Sequence, residues 1–176
     1  MSGFVHAVDD PMVMTHARAL LSSTEQGRTR YIEEDLRNPD RILDHPDLRD
    51  TLDFGRPVAL MLIAVLHFLP DQAEAVAVVR RLIAELPAGS YVAATVATPD
   101  FLPAEVAAAF REMVAKGQVE VWARDADQFA EFFDGLELVG PGIVRVGDWR
   151  PDLRPAGESA AGPEPVSIYG AVGRKH

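Results

Sequence analysis

Cysteine is absent from the whole chain of 176 residues, which excludes a disulfide framework, a thiolate metal site, an iron–sulfur cluster and a cysteine nucleophile. Positive charge is scarce as well. Against 27 Asp and Glu stand 17 Lys and Arg, a net charge of −10, so the field that draws a protein to a phosphate backbone is missing and nucleic acid is not an expected partner. Long apolar runs are missing too. The longest, Val58 to Leu66, is closed by His67 and falls far short of the roughly 20 residues of a spanning helix, so no membrane partner is expected. The opening residues Met1-Ser2-Gly3-Phe4-Val5-His6 carry no basic region followed by an apolar one, and a cytoplasmic location is the expectation. No G-x-S-x-G elbow, G-x-x-x-x-G-K-[ST] loop or H-E-x-x-H motif occurs, and the histidines show no metal-ligand spacing. What is present is 48% hydrophobic residues, enough for a sizeable core in a single domain of this length.

The pattern switches repeatedly between strand-like apolar runs and helical periodicity, the signature of a sheet covered by helices. Phe4 to Val8 and Thr29 to Ile32 read as short strands. Between them Asp9-Asp10-Pro11 opens a helix whose Val13, Ala17, Leu20 and Leu21 form one stripe. Asn38 to Asp53 reads as one or two helical turns broken by Pro46. Pro57 to Leu66, almost continuously apolar, predicts a strand buried on both faces in the middle of the sheet. A helix follows, traced by Ala75, Val76, Val79, Leu82, Ile83 and Leu86 and stopped by Pro87-Ala88-Gly89. Ser90 to Ala97 predicts the next strand. Pro103 to Lys116 predicts a helix with Val106, Phe110, Met113 and Val114 on one face, and Asp125 to Phe133 a short one with Phe129, Phe132 and Phe133 at i, i+3 and i+4. Leu136 to Val146 and Val166 to Val172 read as the last strands. They are joined through Pro151 to Pro165, whose Pro, Gly, Ala and Glu suggest a long mobile loop. Two strands joined without a helix predict an antiparallel pair on an otherwise parallel sheet.

Ligands of open α/β sheets bind outside the carboxyl ends of the strands, so the residues that end each strand are the candidates for chemistry. Asp9 and Asp10 end the first. An ionised carboxylate there can accept from both vicinal hydroxyls of a ribose, while a helix N-cap is the alternative role. Glu33-Glu34-Asp35 end the second strand, where a side chain can meet the exocyclic amine of a purine; otherwise the run is a solvated loop. His67, alone among five histidines, stands at a strand terminus and is the candidate base, with packing as its alternative. Gly140-Pro141-Gly142 opens no helix and reads as a turn or bulge.

Asp9-Asp10-Pro11 with Thr15 to Leu21, Tyr31 to Pro39, Pro57 to Leu60 and Ala64 to Phe68 resemble a bacterial family of S-adenosylmethionine-dependent methyltransferase-like proteins. Phe132 to Val139, Pro141-Gly142, Trp149-Arg150-Pro151 and Tyr169 to Lys175 extend the resemblance over nearly the whole chain. It implies a class I, Rossmann-like α/β fold: a doubly wound, mostly parallel sheet with an antiparallel C-terminal strand pair, and S-adenosylmethionine across the carboxyl ends of its first four strands. By that resemblance Asp9 or Asp10 takes the ribose and Asp35 and Leu36 flank the adenine. Ala64, Val65 and His67 line the methionine and acceptor side, with His67 the implied catalytic residue and a small molecule the implied acceptor. Two departures mark the chain. Val8 stands where the family has an acid, and the family's first strand, with its glycine-rich turn and following helix, would precede Phe4. In the implied strand order that first strand separates the strands at Phe4 and Pro57, so residues 1–176 are expected to form an N-terminally truncated domain with two apolar edges. A non-catalytic remnant of the fold, or a module pairing those edges in a homodimer, is the alternative function.

Overall fold

The computed structural model describes residues 2–8, 27–150 and 166–176, with the isolated positions 12, 15 and 152. Apart from those isolated positions, the carboxylates Asp9 and Asp10, the helix expected after them and the loop from Pro151 to Pro165 lie outside the described residues. The chain divides into two compact units, residues 1–58 with 77–88 and residues 59–76 with 89–176.

In the first unit β1 (Ser2–Val8) and β2 (Gly27–Glu33) run parallel, with Phe4 opposite Thr29 and Val8 opposite Glu33. Glu34 N–H donates to the Val8 carbonyl at 3.2 Å, carrying the ladder one residue past the strands. Helices α1 (Pro39–Leu43) and α2 (Pro46–Thr51) each begin on a proline, whose missing N–H is one of the donors a first turn leaves unpaired anyway. Ile42, Leu43 and Leu48 are their buried side chains. The helical stripe from Val79 to Leu86 is buried as its spacing predicts.

The second unit holds a mixed sheet. Its strands are β3 (Ala59–Leu62), β4 (Tyr91–Ala97), β5 (Glu137–Leu138), β6 (Val144–Arg145) and β7 (Ile168–Arg174). The order is β3-β4-β7-β5, with β6 also paired to β7. β3 and β4 are parallel, whereas β7 is antiparallel to β4, β5 and β6, as two strands joined without a helix require. Gly173 lets β7 pass close to its cover: a Cβ there would lie 2.9 Å from both Leu136 Cδ1 and Phe133 Cδ1. Helix α3 (Gln72–Glu85) begins in this unit, followed by α4 (Ala104–Ala115) and α5 (Ala126–Ala130). Gly117, at φ +66°, ends α4 by a double bond pattern, Gly117 N–H to the Val114 carbonyl and Gln118 N–H to the Met113 carbonyl. Phe129 centres the core. Its ring stacks on Tyr169 at 6.2 Å and meets Phe133 edge-on at 5.4 Å.

Two strand expectations are corrected. The run from Pro57 to Leu66 is not one central strand buried on both faces: β3 keeps only four of its residues and is the last strand of the sheet's order. Met61 is 67% exposed and Ile63 46%, and no strand lies beside β3 on its other side among the described residues. Leu66–Phe68 instead form a 3-10 turn. The second correction concerns Leu136 to Val146, which breaks into β5 and β6. Gly142 at φ +89° donates its N–H to the Val139 carbonyl, so the Gly140-Pro141-Gly142 stretch is the turn between them.

Candidate functional site

The carboxyl ends of β3 and β4 are organised by side chains that take over a ladder. Beyond Leu62 the chain leaves β4, and the groups of β4 that would face it need new partners. Thr95 Oγ1 accepts from Ala64 N–H at 2.8 Å, fixing Ala64 in the left-handed region at φ +55°. His67 Nδ1 accepts from Ala97 N–H at 3.4 Å. Arg124 N–H donates to the Ala97 carbonyl at 2.9 Å, and Trp122 N–H to the His67 carbonyl at 2.8 Å. Two of the residues expected at the site, Ala64 and Val65, are therefore exposed at the end of β3, while the third, His67, is buried behind them. With Nδ1 accepting, the neutral ring carries its hydrogen on Nε2. Burial holds the ring below its ordinary pKa, and the nearby Arg124 charge acts in the same direction. Such a ring orders the turn, and a base at this position would first need Nδ1 released from Ala97.

Arg124 is the residue that sequence patterns missed. It is 3% exposed and faces carbonyls rather than a carboxylate. One terminal nitrogen donates to the Leu66 carbonyl at 2.7 Å and to the Trp122 carbonyl at 3.2 Å; the other donates to the Leu69 carbonyl at 2.7 Å. Nε donates to Gln72 Oε1 at 2.5 Å, and the Gln72 amide passes the chain on to Glu131 Oε2 at 3.1 Å. Burial lowers the guanidinium pKa, yet a group that starts this high stays charged. No motif announces such a residue. The neighbouring Asp125 did have a signal, the D-x-x-Q spacing of a capping box: Asp125 Oδ1 accepts from Gln128 N–H at 2.8 Å, and Gln128 Oε1 accepts from Asp125 N–H at 3.1 Å.

In the first unit the acidic run after β2 is neutralised locally. Asp35 accepts from Arg37 through its backbone N–H at 2.8 Å and its guanidinium at 2.6 Å, and that guanidinium holds the carboxyl below its usual pKa. Glu34, mostly covered, pairs with Arg41 at 3.0 Å. Leu36 sits in the turn that follows, where Asn38 N–H donates to the Asp35 carbonyl at 2.9 Å. An adenine amine at Asp35 would share the carboxylate with Arg37.

Tyr169 gives a test of the second unit that needs no ligand. Its hydroxyl donates to Asp100 Oδ2 at 3.0 Å, and burial with that carboxylate pushes its pKa up to about 12. The fold holds the neutral phenol. Between an ordinary value of about 10 and the folded value, the unfolded chain has lost a proton that the native chain keeps, so stability falls as pH rises through that window. Ultraviolet titration is expected to show a phenol ionising near pH 12, and Tyr169→Phe removes that step. A titration left unchanged near pH 12 by Tyr169→Phe would contradict the geometry.

Among the described residues no group of His, Asp and Glu is arranged to hold a metal ion, and no helix is long and apolar enough to cross a membrane. A mixed α/β sheet with an exposed turn at the carboxyl end of a parallel strand is the architecture of the α/β methyltransferases, and solved structures bear this out. A DUF574 family protein from Streptomyces avermitilis is 46% identical with a TM-score of 0.84, over 99% of this chain and 65% of that one. A candidate methyltransferase from Thermobifida fusca is 35% identical with a TM-score of 0.79, over 97% of this chain and 62% of that one. The N-methyltransferase NodS from Bradyrhizobium japonicum, solved with S-adenosyl-L-homocysteine, shares the fold at a TM-score of 0.54 and 10% identity, over 99% of this chain and 78% of that one. No curated protein matches. The chain belongs to the S-adenosyl methyltransferase family, whose model matches residues 2–176. It spans less than two thirds of the length of the Streptomyces and Thermobifida proteins.

Proposed function

We propose that the chain serves methyl transfer from S-adenosylmethionine to a small-molecule acceptor. The observation that carries the reading is the turn closing β3. Ala64, exposed and left-handed, is held by Thr95, and its strand has one side free of other strands among the described residues. Backbone presented in this way suits the polar methionine end of the cofactor, with Ala64 and Val65 in contact and His67 fixing the turn behind them. In the first unit, Leu36 and the Asp35 turn are the adenine candidates, and Asp9 or Asp10 keeps the ribose role that family resemblance gives it. When bound, S-adenosylmethionine supplies a methyl group on a positively charged sulfur: the acceptor's lone pair forms the new bond, the carbon–sulfur pair returns to sulfur, and the acceptor's proton leaves to water. The protein's part in such a reaction is to orient the two reactants and exclude water.

Titration calorimetry of the 176-residue chain with S-adenosylmethionine tests this reading. Saturable binding in the micromolar range is expected, weakened by Thr95→Val, which releases Ala64 N–H. Absence of any heat at millimolar cofactor would leave the non-catalytic reading of the fold in its place.

A further inference from the structure

Helix α4 carries an apolar stripe that is only partly covered by the described residues of its unit. Ala107 is its single buried side chain, and Val106 and Met113 are exposed. Phe110 and Val114 line a half-open cavity of about 410 Å3, lined also by Trp122 and by the segment leading to α5. That volume is within the range of small-molecule sites, roughly 300–1,000 Å3. The place is also right for a ligand. Trp122 and Arg124 are hydrogen-bonded through their backbones to His67 and Ala97, so the cavity wall is attached to the carboxyl ends of β3 and β4.

The charge of the cavity runs against that of the chain. Two arginines, Arg111 and Arg124, are among its lining residues with one acid, Asp125, in a protein of net charge −10. Asp125 is engaged as the cap of α5 and Arg124 by its carbonyls. Arg111 has no carboxylate within 4.0 Å among the described residues and makes no hydrogen bond to a side chain there. Its planar fork matches a carboxylate in two-point contact, and Trp122 and Phe110 bring two aromatic side chains to the lining.

We propose that this cavity binds a small, flat molecule carrying a carboxylate, which on the methyl-transfer reading it rests on is the acceptor. The ring system covers the stripe of α4, and Arg111 takes the acid.

The probe is 6-hydroxy-2-naphthoate, compared with its uncharged carboxamide, titrated into the full chain by calorimetry. The acid is expected to bind saturably and at least tenfold more tightly than the amide. Arg111→Ala should remove that preference, and Arg111→Lys should restore only part of it. Val114→Trp, which fills the cavity from an exposed helix, should abolish binding of both while circular dichroism stays unchanged. Equal binding of acid and amide, no saturable binding of the acid, or an acid affinity indifferent to Arg111→Ala overturns the proposal. A separate titration with S-adenosylmethionine keeps the two readings apart. Cofactor binding without probe binding removes the cavity and spares methyl transfer, and probe binding without cofactor binding does the reverse.

Discussion

Arg124→Ala is expected to cost the second unit about 3 kcal/mol or more of stability, read from the urea midpoint at constant slope. The guanidinium satisfies the carbonyls of Leu66 and Leu69 and the oxygen of Gln72; truncation leaves the buried Leu69 carbonyl without that donor, while the Leu66 carbonyl keeps the Leu69 N–H at 3.2 Å and Gln72 is half-buried. A hydrogen bond from a charged donor is worth roughly 1.5–3 kcal/mol, and three are lost, with the Leu69 N–H at Leu66 and relaxation of Gln72 recovering part of two. Arg124→Lys is informative because it keeps the charge. A single ammonium cannot span two carbonyls and an amide in the directions a planar fork does, so it should rescue less than half of the loss. A loss below about 1 kcal/mol for Arg124→Ala would mean that the turn after β3 is held by something else.

Phe129→Ala should be as damaging, by about 3–5 kcal/mol. The ring is fully buried, with Phe132, Phe133 and Tyr169 disposed around it. Its removal opens a cavity that neighbours on a short helix and on β7 cannot both collapse into. Phe129→Leu, which keeps most of the volume, should lose only about 1–1.5 kcal/mol. Thermal unfolding of the pair separates cavity from chemistry, and equal losses would show that packing around this ring is loose.

Much of this was legible in the sequence where the signal is periodic. Phe129, Phe132 and Phe133 are spaced as one helical face and are all buried, and β4 alternates as a half-buried strand should. The run around β3 misled because apolar character records what a strand can bury, and not whether a neighbour is present to bury it. The helix of α4 was legible too, with Phe110 and Val114 half-buried and Val106 and Met113 exposed. Asp35 and Glu34 were legible as acids at a strand end, but their arginine partners at 37 and 41 depend on how the following turn bends. Arg124 lay beyond reach altogether. The Leu69 and Leu66 carbonyls it holds are 55 and 58 residues away in the chain and are backbone oxygens, which carry no residue identity to recognise.

The handover from strand to side chains after Leu62 bears on how this loop can change over generations. Thr95 holds Ala64 and His67 holds Ala97, so the path between them is measured out at two points of one strand. Ile63 and Val65, both facing solvent, can be exchanged for many residues without disturbing either bond. An inserted or deleted residue cannot, since it would pull one of the two anchors out of register. Variation in this segment should therefore alter its chemistry freely while its length stays fixed.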